Sequence, residues 1–552
     1  LPGSKTPAHL YRGRNRGRKV SSSTGVMAEA ESFLRKWERG LRSFFYQNRW
    51  LMVVTMLLAL GLYYPIARDG LENLDSFCTP EPYWADLWER IPYWETVQGR
   101  WALRLWDAAF DGMHPYFLTV LLTSGFFILS AILLCDLLDV TNRWLRFASV
   151  SILVCSQYVM NIQTYRYCSV AYAASFFLAI LAVCCVQYLP SWRGIVAAVI
   201  CLTFSLGIYQ SSLGVCAVVC LYLMIRKFLD RQCPTAEYVR LFRRLLLMGS
   251  VSLIFYLLIL KVMLYVYQVS LASINGINQV GIGLLSQLPQ GVQQAYEDFA
   301  QYFFGTGIAQ NYYGLKNLNL VLLILTVVVF LCALVRRANW QAATGAVICM
   351  LLLPAAANVT DIINPTTQIA LRMAGAMATV PVFCIAVATK GIRIREGVLQ
   401  KMLVFVLAVL VLRGNILQSN NDIEVLRADR NQAVTIANQI LGQISEQKAY
   451  QQGAKVAIIG VPASGNYNST GNGYREKSNS MIGCGLFSWD QGNNRDAWIR
   501  LMELQVGDIL PWCSAEQEFE IQESDQFKEM PCFPEEGSIT VLQDVLVVKV
   551  SD

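Results

Sequence analysis

The sequence predicts a polytopic α-helical membrane protein of about eleven spans that ends in a small α/β domain outside the bilayer. Three observations predict it. Of the 552 residues, 55% are hydrophobic and only 15% charged, too apolar a balance for a soluble chain of this size. Apolar runs of roughly 16 to 24 residues recur along most of the sequence, the length that crosses a hydrocarbon core of roughly 30 Å. After the last run the pattern turns polar, with short strand-like segments. Backbone groups cannot be left unpaired in lipid, so the runs read as helices; the alternating strands of a barrel are absent.

Residues 1–49 read as a basic cytoplasmic tail and an amphipathic helix. Residues 1–25 are basic and Ser-rich without apolar period, and Met27 reads as a natural start, so residues 1–26 are set aside from fold reasoning. Arg35, Lys36, Arg39 and Arg42 mark the helix from 28 to 48, expected on the cytoplasmic face. The membrane region, 50–415, has spans at 50–66, 115–134, 145–160, 169–189, 194–209, 212–225, 245–266, 318–335, 340–357, 372–388 and 401–411. Counting from an inner N-terminus, the basic clusters at Arg143 and Arg146, at Arg193, at 226–244, at Arg336 and Arg337 and at 390–395 all fall inside. Only isolated cations, Arg100, Arg104, Arg166, Lys316 and Arg372, fall outside, which gives an outer C-terminus. The formal charge of +6 belongs to this pattern, and nucleic acid is not an expected partner; the lipid bilayer is.

The outer side then carries two long loops, 67–114 and 267–317, and the terminal domain, 416–552. In that domain a helix is expected over 421–447, a strand at KVAIIG (455–460) and a final alternating strand over 538–550. GVPASGNYNSTG matches no dinucleotide or P-loop fingerprint, so the first strand reads as structural. Cys484, Cys513 and Cys532 permit one disulfide and leave one thiol over, without revealing the pair. Most of the other cysteines lie in apolar runs, there is no CxxC, and the histidines are His9 and His114, which argues against a zinc site.

Asp69, Glu72 and Asp75 follow the first span at a spacing that holds them near one helical face. Glu72 and Asp75 read equally well as a solvated first turn. Asp69 lies at the apolar boundary, where partial desolvation raises proton affinity and suits a general base. Lys261, in LLILKVMLYVY, either snorkels to the outer interface or faces a cavity and binds an anion. Arg372 and Arg166 fall at similar depth, and three outer cations suit a phosphate near the bilayer surface. Tyr209 and Gln210, in the tight turn of LGIYQSSLG, either hydrogen-bond a sugar or satisfy the turn. Trp84, Trp88, Tyr93 and Trp94 suit an interfacial helix shaping an acceptor groove.

The segments IARDGLENLDS, GRWALRLW, LGIYQSSLGVCAVVCLYLMI and YLLILKVMLYVYQVSLASINGINQVG, with NQAVTIANQILGQI, KVAIIG and PEEGSITVLQDVLVVKVSD in the tail, resemble in order and spacing the Gtr (type II) glucosyltransferase family. These are polytopic GT-C-type enzymes that modify bacterial surface glycans, and the resemblance runs from about Leu51 to the end of the chain. It implies a GT-C-like fold, a polyprenyl-phosphate-linked sugar donor, a surface glycan acceptor, and an inverting transfer outside the cytoplasmic membrane. Asp69 matches the family's acidic position, Arg100 and Trp101 its GRW element, Tyr209 and Gln210 its YQ element, and Lys261 its basic position. The acidic position stands here as Arg68-Asp69-Gly70, without the pairing common in relatives, and Arg166 with Cys168-Ser169-Val170 stands where many relatives carry an acid. The implied functional partners are a polyprenyl-phosphate glucosyltransferase and a small flippase. No cofactor is expected; a divalent cation, Mg or Mn, stays open, although the outer acids form no specific ligand cluster and no metal residue is assigned. The rival readings are a flippase or exporter of lipid-linked sugars, and a surface-glycan polymerase or ligase using a pyrophosphate-linked chain. The outer acids and the outer domain favour the transferase, since transport needs no acid beside an anomeric carbon.

Overall fold

The structure, a computed structural model, describes residues 23–77, 93–110, 112–189, 191–230, 232–272, 284–336, 339–365, 369–390, 397–461, 475–479, 491–507 and 510–551. Trp84, Trp88 and Cys484 lie outside the described residues. From Thr55 onward the chain packs as one compact unit, and the chain up to Val54 forms another.

Helix α1 (Ser23–Asp69) runs unbroken from the amphipathic segment through the first apolar stretch. Gly70 ends it by adopting φ +59°, and the Leu71 N–H returns to the Ile66 carbonyl at 3.0 Å, a left-handed cap that disfavours a side chain. Short helices α2 (Leu74–Phe77), α3 (Tyr93–Val97) and α4 (Trp101–Ala108) lie in the segment between the first two apolar helices. Then come α5 (Tyr116–Leu137), α6 (Arg143–Val154), α7 (Gln157–Gln163), α8 (Ser169–Tyr188), α9 (Ser191–Ile208), α10 (Ser212–Leu229) and α11 (Thr235–Val266). The segment after α11 holds α12 (Leu284–Phe304), followed by α13 (Leu315–Val335), α14 (Trp340–Leu351), α15 (Leu353–Ala357), α16 (Val359–Ile363), α17 (Gly375–Lys390) and α18 (Val398–Glu446).

Helical structure stands at the place of each predicted span. Among the described residues seven helices are long and apolar enough to cross a membrane: α1 from Arg42, α5, α8, α10, α11, α13 and α18. The predicted third span is bent by 46° between α6 and α7. Ser156 causes the break by starting a second helix, its hydroxyl accepting from the Val159 N–H at 3.4 Å. Helices α9, α14 and α17 are apolar but shorter.

Helix α8 is buried along most of its length between α5 and α9. Ser175 and Ser205 exchange hydroxyl-to-carbonyl hydrogen bonds at 2.8 Å each, and Ser175 Oγ lies 2.8 Å from Ser212 Oγ. Small hydroxyl residues let helices approach closely and bond across the interface. Here they lock the α9–α10 turn, which carries Tyr209 and Gln210, to the helix that carries Tyr172.

The predicted last span and the helix expected over 421–447 are one 49-residue helix, α18. No proline interrupts it, so the boundary drawn at 416 falls inside continuous helix. Beyond its apolar part α18 buries Ala433, Ala437, Ile440 and Ile444 at helical spacing against a small sheet. That region comprises α19 (Lys448–Gln451), β1 (Lys455–Ile459), α20 (Gln491–Leu501), α21 (Ala515–Glu523), α22 (Asp525–Glu529), β2 (Ile539–Leu542) and β3 (Val545–Lys549). The sheet order is β1-β3-β2, with β1 parallel to β3 and β2 antiparallel to it. The single strand predicted over 538–550 is instead a hairpin: Gln543 and Asp544 take φ +48° and +63°, which fits a two-residue turn. Val456, Ile458, Leu546 and Val548 face α18 and Trp498, while Ala457, Ile459, Val545 and Val547 face Ile521 and Phe527, the alternation a pleated sheet imposes. Cys513 and Cys532 are free thiols.

Candidate functional site

The GRW element begins at a turn that only glycine fits. Gly99 has φ +80°, and a Cβ there would stand 2.5 Å from Gln210 Nε2 and 2.6 Å from Tyr256 Oη. Gln210 Nε2 donates to the Gln98 carbonyl at 2.5 Å, and Tyr256 Oη donates to the Gly99 carbonyl at 3.1 Å. The Gln210 amide therefore satisfies the backbone of a distant turn, at Gln98, rather than that of its own turn, and in doing so aims Arg100. Arg100 Nη1 donates to Tyr172 Oη at 2.9 Å, and its guanidinium lies over the Tyr172 and Tyr209 rings, 5.9 and 5.3 Å from their centroids. Those two rings are stacked at 4.1 Å. Burial works against the charge of Arg100, but the phenol groups around it outweigh that effect and raise its pKa above the ordinary arginine value. Trp101 is buried, its ring against Gly207 and 5.7 Å from Phe204, so it packs α4 onto α9.

On the other side of the stack, Tyr209 Oη donates to the Arg372 carbonyl at 3.3 Å. Arg372 Nη1 donates to Tyr165 Oη at 2.9 Å, with the guanidinium 5.6 Å from that ring's centroid. The turn Leu371–Met373 that carries Arg372 packs on α7. Asp75, exposed between buried Leu74 and Ser76, lies within electrostatic reach of Arg372.

The remaining acids are engaged differently. Glu72 is buried; its Oε1 accepts from Tyr116 Oη at 2.8 Å, and its Oε2 accepts from Ser76 Oγ at 2.9 Å and Arg166 Nε at 3.0 Å. Arg166 also lies 4.3 Å over the Tyr116 ring. The Asn73 N–H donates to the Thr164 carbonyl at 3.1 Å, pinning this loop to the end of α7. His114 is buried beside them, and burial, then the Arg166 charge, holds its pKa down to about 4. Asp69 accepts from Arg68 at 2.6 and 3.0 Å and from Arg427 Nε of α18 at 2.8 Å. Arg430, one helical turn on, donates to the backbone carbonyls of Asp69 and Gly70.

The fold thus brings Arg100, Tyr209, Gln210 and Arg372 to one corner with Asp75 in reach, and pairs Glu72 with Arg166. It places Asp69 in a cluster of arginines from α1 and α18. Lys261 is exposed on α11, five residues past the inward-facing Tyr256. Sequence reasoning missed Tyr165, Tyr172 and Tyr256 as members of the corner, and Arg427 and Arg430 as clamps on the acidic turn. A signal for the tyrosines was present, since a phenol in an apolar helical run needs a polar partner when buried. Among the described residues no group of three or more His, Cys, Asp or Glu side chains is arranged to hold a metal ion.

No curated protein and no solved structure matches the chain. The family model for glucosyl transferase GtrII matches residues 89–414. That stretch contains Arg100, Trp101, Arg166, Tyr209, Gln210, Lys261 and Arg372, and leaves Asp69, Glu72, Asp75 and the terminal sheet outside it. Because the match takes in more than half of the chain, the protein belongs to the GtrII glucosyl transferase family and is a glucosyltransferase built on membrane-type helices.

Proposed function

We propose that the protein moves glucose from a polyprenyl-phosphate donor to a surface glycan on the outer side of the cytoplasmic membrane, with inversion at the anomeric carbon, as a GT-C-type enzyme. The observation that carries this reading is the corner where the Arg100 guanidinium lies on the Tyr172–Tyr209 stack and Tyr209 bonds the backbone of Arg372, whose guanidinium lies on Tyr165, with Asp75 in reach. Two guanidiniums suit a phosphate, which they can contact through several donors at once. An apolar groove of about 300 Å³ beside Trp101, lined by Leu105, Trp106, Ala174, Leu178, Ile200 and Phe204, suits the donor's lipid chain.

In the proposed reaction a carboxylate takes the proton of the acceptor hydroxyl as that oxygen attacks the anomeric carbon from the face opposite the phosphate. The bond from that carbon to the phosphate oxygen breaks, and the lipid phosphate leaves with its charge held by Arg100 and Arg372. Asp69, the acid singled out from the sequence, is clamped by Arg68 and Arg427. Asp75 is exposed and lies within electrostatic reach of Arg372, so it is the stronger candidate for the base, with Asp69 anchoring the turn that presents it. Arg166 serves to hold Glu72, and Lys261 lies on the exposed face of α11. The outer placement rests on the distribution of basic residues; it puts the C-terminal sheet region where it can hold the glycan. A polyprenyl-phosphate glucosyltransferase and a small flippase are the partners that would make and deliver the donor.

The test is to incubate the purified protein in lipid nanodiscs with polyprenyl-phosphate-glucose and candidate glycans, and to follow glucose on the glycan and its anomeric configuration by NMR. Glucose transferred with inversion supports the proposal. Donor translocation in vesicles without transfer would make the protein a flippase, and use of pyrophosphate-linked chains alone would make it a polymerase or ligase.

A further inference from the structure

Away from this corner, two carboxylates meet inside the protein where α12 packs on α16. Asp298 is 8% exposed and Asp361 0%. The helices approach so closely that a Cβ on Gly291 would stand 2.6 Å from the Asp361 carbonyl oxygen. Asn358 Nδ2 bonds the Ala295 carbonyl across the same contact at 2.8 Å. Asp298 Oδ1 accepts from Gln294 Nε2 at 3.0 Å. Both carboxylate oxygens of Asp361 are buried with no donor, yet α12 packs on α16 so that the Asp361 and Asp298 carboxylates come within hydrogen-bonding reach of each other. Two ionised carboxylates cannot make that bond, because neither carries a hydrogen, and out of water they repel.

We infer that Asp298 and Asp361 hold one proton between them, forming a buried carboxylic acid–carboxylate hydrogen bond that latches α12 onto α16. One proton removes the repulsion between two like charges and supplies the missing hydrogen without further ligands, and the single negative charge that remains is contacted by the Gln294 amide. A hard divalent cation favours several carboxylate ligands, and among the described residues no third His, Cys, Asp or Glu joins these two to hold a metal ion. The charged neighbour acting on the pair is Glu297 of α12, which adds to the negative field on Asp298. Helix α15 has no titratable side chain. Helix α10 reaches this region at its Gly214 end, with Arg226 and Lys227 at the opposite end. Burial, then Asp298, pushes the Asp361 pKa up to about 8, and burial also raises that of Asp298.

The latch reaches further than its own two helices. Beyond α12 the Gln310 N–H donates to Gln157 Oε1 of α7 at 3.0 Å and to Asn479 Oδ1 at 3.1 Å, and α7 packs against the turn that carries Arg372.

Because the proton binds more tightly in the latched state than in an opened one, the contact is strongest below the ordinary carboxylate range, weakens as pH climbs towards about 8 and levels off above it. Hydrogen exchange on the full-length protein in lipid nanodiscs, read as protection factors over residues 284–304, tests this. Protection should fall by up to about tenfold per pH unit across that window and then flatten. In Asp361→Asn, whose amide donates permanently to Asp298, and in Asp298→Asn, which donates from the other side, the pH slope should disappear while protection persists. An unchanged slope in whichever variant folds, no slope in the parent protein, or a slope that a metal chelator alters would overturn the shared proton.

Discussion

Arg166 and Glu72 form a buried ion pair, Nε to Oε2 at 3.0 Å, between residues 94 apart in sequence. With Tyr116 and Ser76 filling the remaining positions on the carboxylate, the pair holds the segment after α1 on the ends of α5 and α7. Removing one partner of such a pair strands a buried charge. Glu72→Ala should therefore cost about 3–5 kcal/mol of stability, read as a lower midpoint in thermal unfolding of the detergent-solubilised protein. Arg166→Lys should also destabilise, because an ammonium cannot both bond Glu72 and lie flat over Tyr116.

The two exposed-side acids separate by assay. Asp75→Asn is expected to lower kcat by about 10²–10⁴-fold, the range for losing a general base, with little change in thermal midpoint. Asp69→Asn should act mainly on stability through the lost contacts to Arg68 and Arg427. If Asp69→Asn abolishes turnover in folded protein while Asp75→Asn remains active, the base is Asp69.

Replacing the paired guanidiniums should hit donor use. Arg100→Lys and Arg372→Lys are each expected to reduce kcat/KM for the donor by about 10²–10³-fold, as loss of a charge-stabilising donor does. Lys261→Met, on the exposed face of α11, should leave donor kinetics unchanged.

Gly99→Ala places a methyl group where Gln210 Nε2 and Tyr256 Oη stand, in backbone that disfavours side chains. The turn must shift, and Arg100 with it. The expected result is a raised donor KM and a lowered kcat in protein that still folds, since the disturbed contact is local; steady-state kinetics on the solubilised variant read both.

His114 gives a pH dependence. Its pKa falls from 6.5 to about 4 through burial and the Arg166 charge, so the folded protein keeps it neutral. The stability tied to that neutral form is present above pH 6.5 and is lost as pH falls towards about 4. Thermal midpoints taken across that window should drop, and less so in His114→Gln.

Parts of the chain differ in how legible they are before folding. The apolar runs are helices at the predicted places, because length and hydropathy suffice to specify a helix in lipid. The one at 145–160 conceals a break at Ser156, since a capping serine also reads as a tolerated polar residue within a run. The separation of 401–411 from 421–447 followed a change in composition, but composition changes without a helix breaker do not end a helix. The final hairpin was hidden because Gln543-Asp544 lacks the glycine that usually signals such a turn.

By itself the sequence determined the membrane class, the uneven distribution of basic residues along the chain, and the residue types from which the GtrII family is recognised. These depend on properties of neighbouring residues, which a linear reading captures. Only the tertiary structure decided how these charges are partnered: Arg166 with Glu72, Asp69 with Arg427, and Arg100 and Arg372 with tyrosines from α8, the α9–α10 turn and the turn after α7. Each of these relations joins segments distant in sequence. The partner of a buried charge is chosen by which helices pack together, and no local pattern carries that choice.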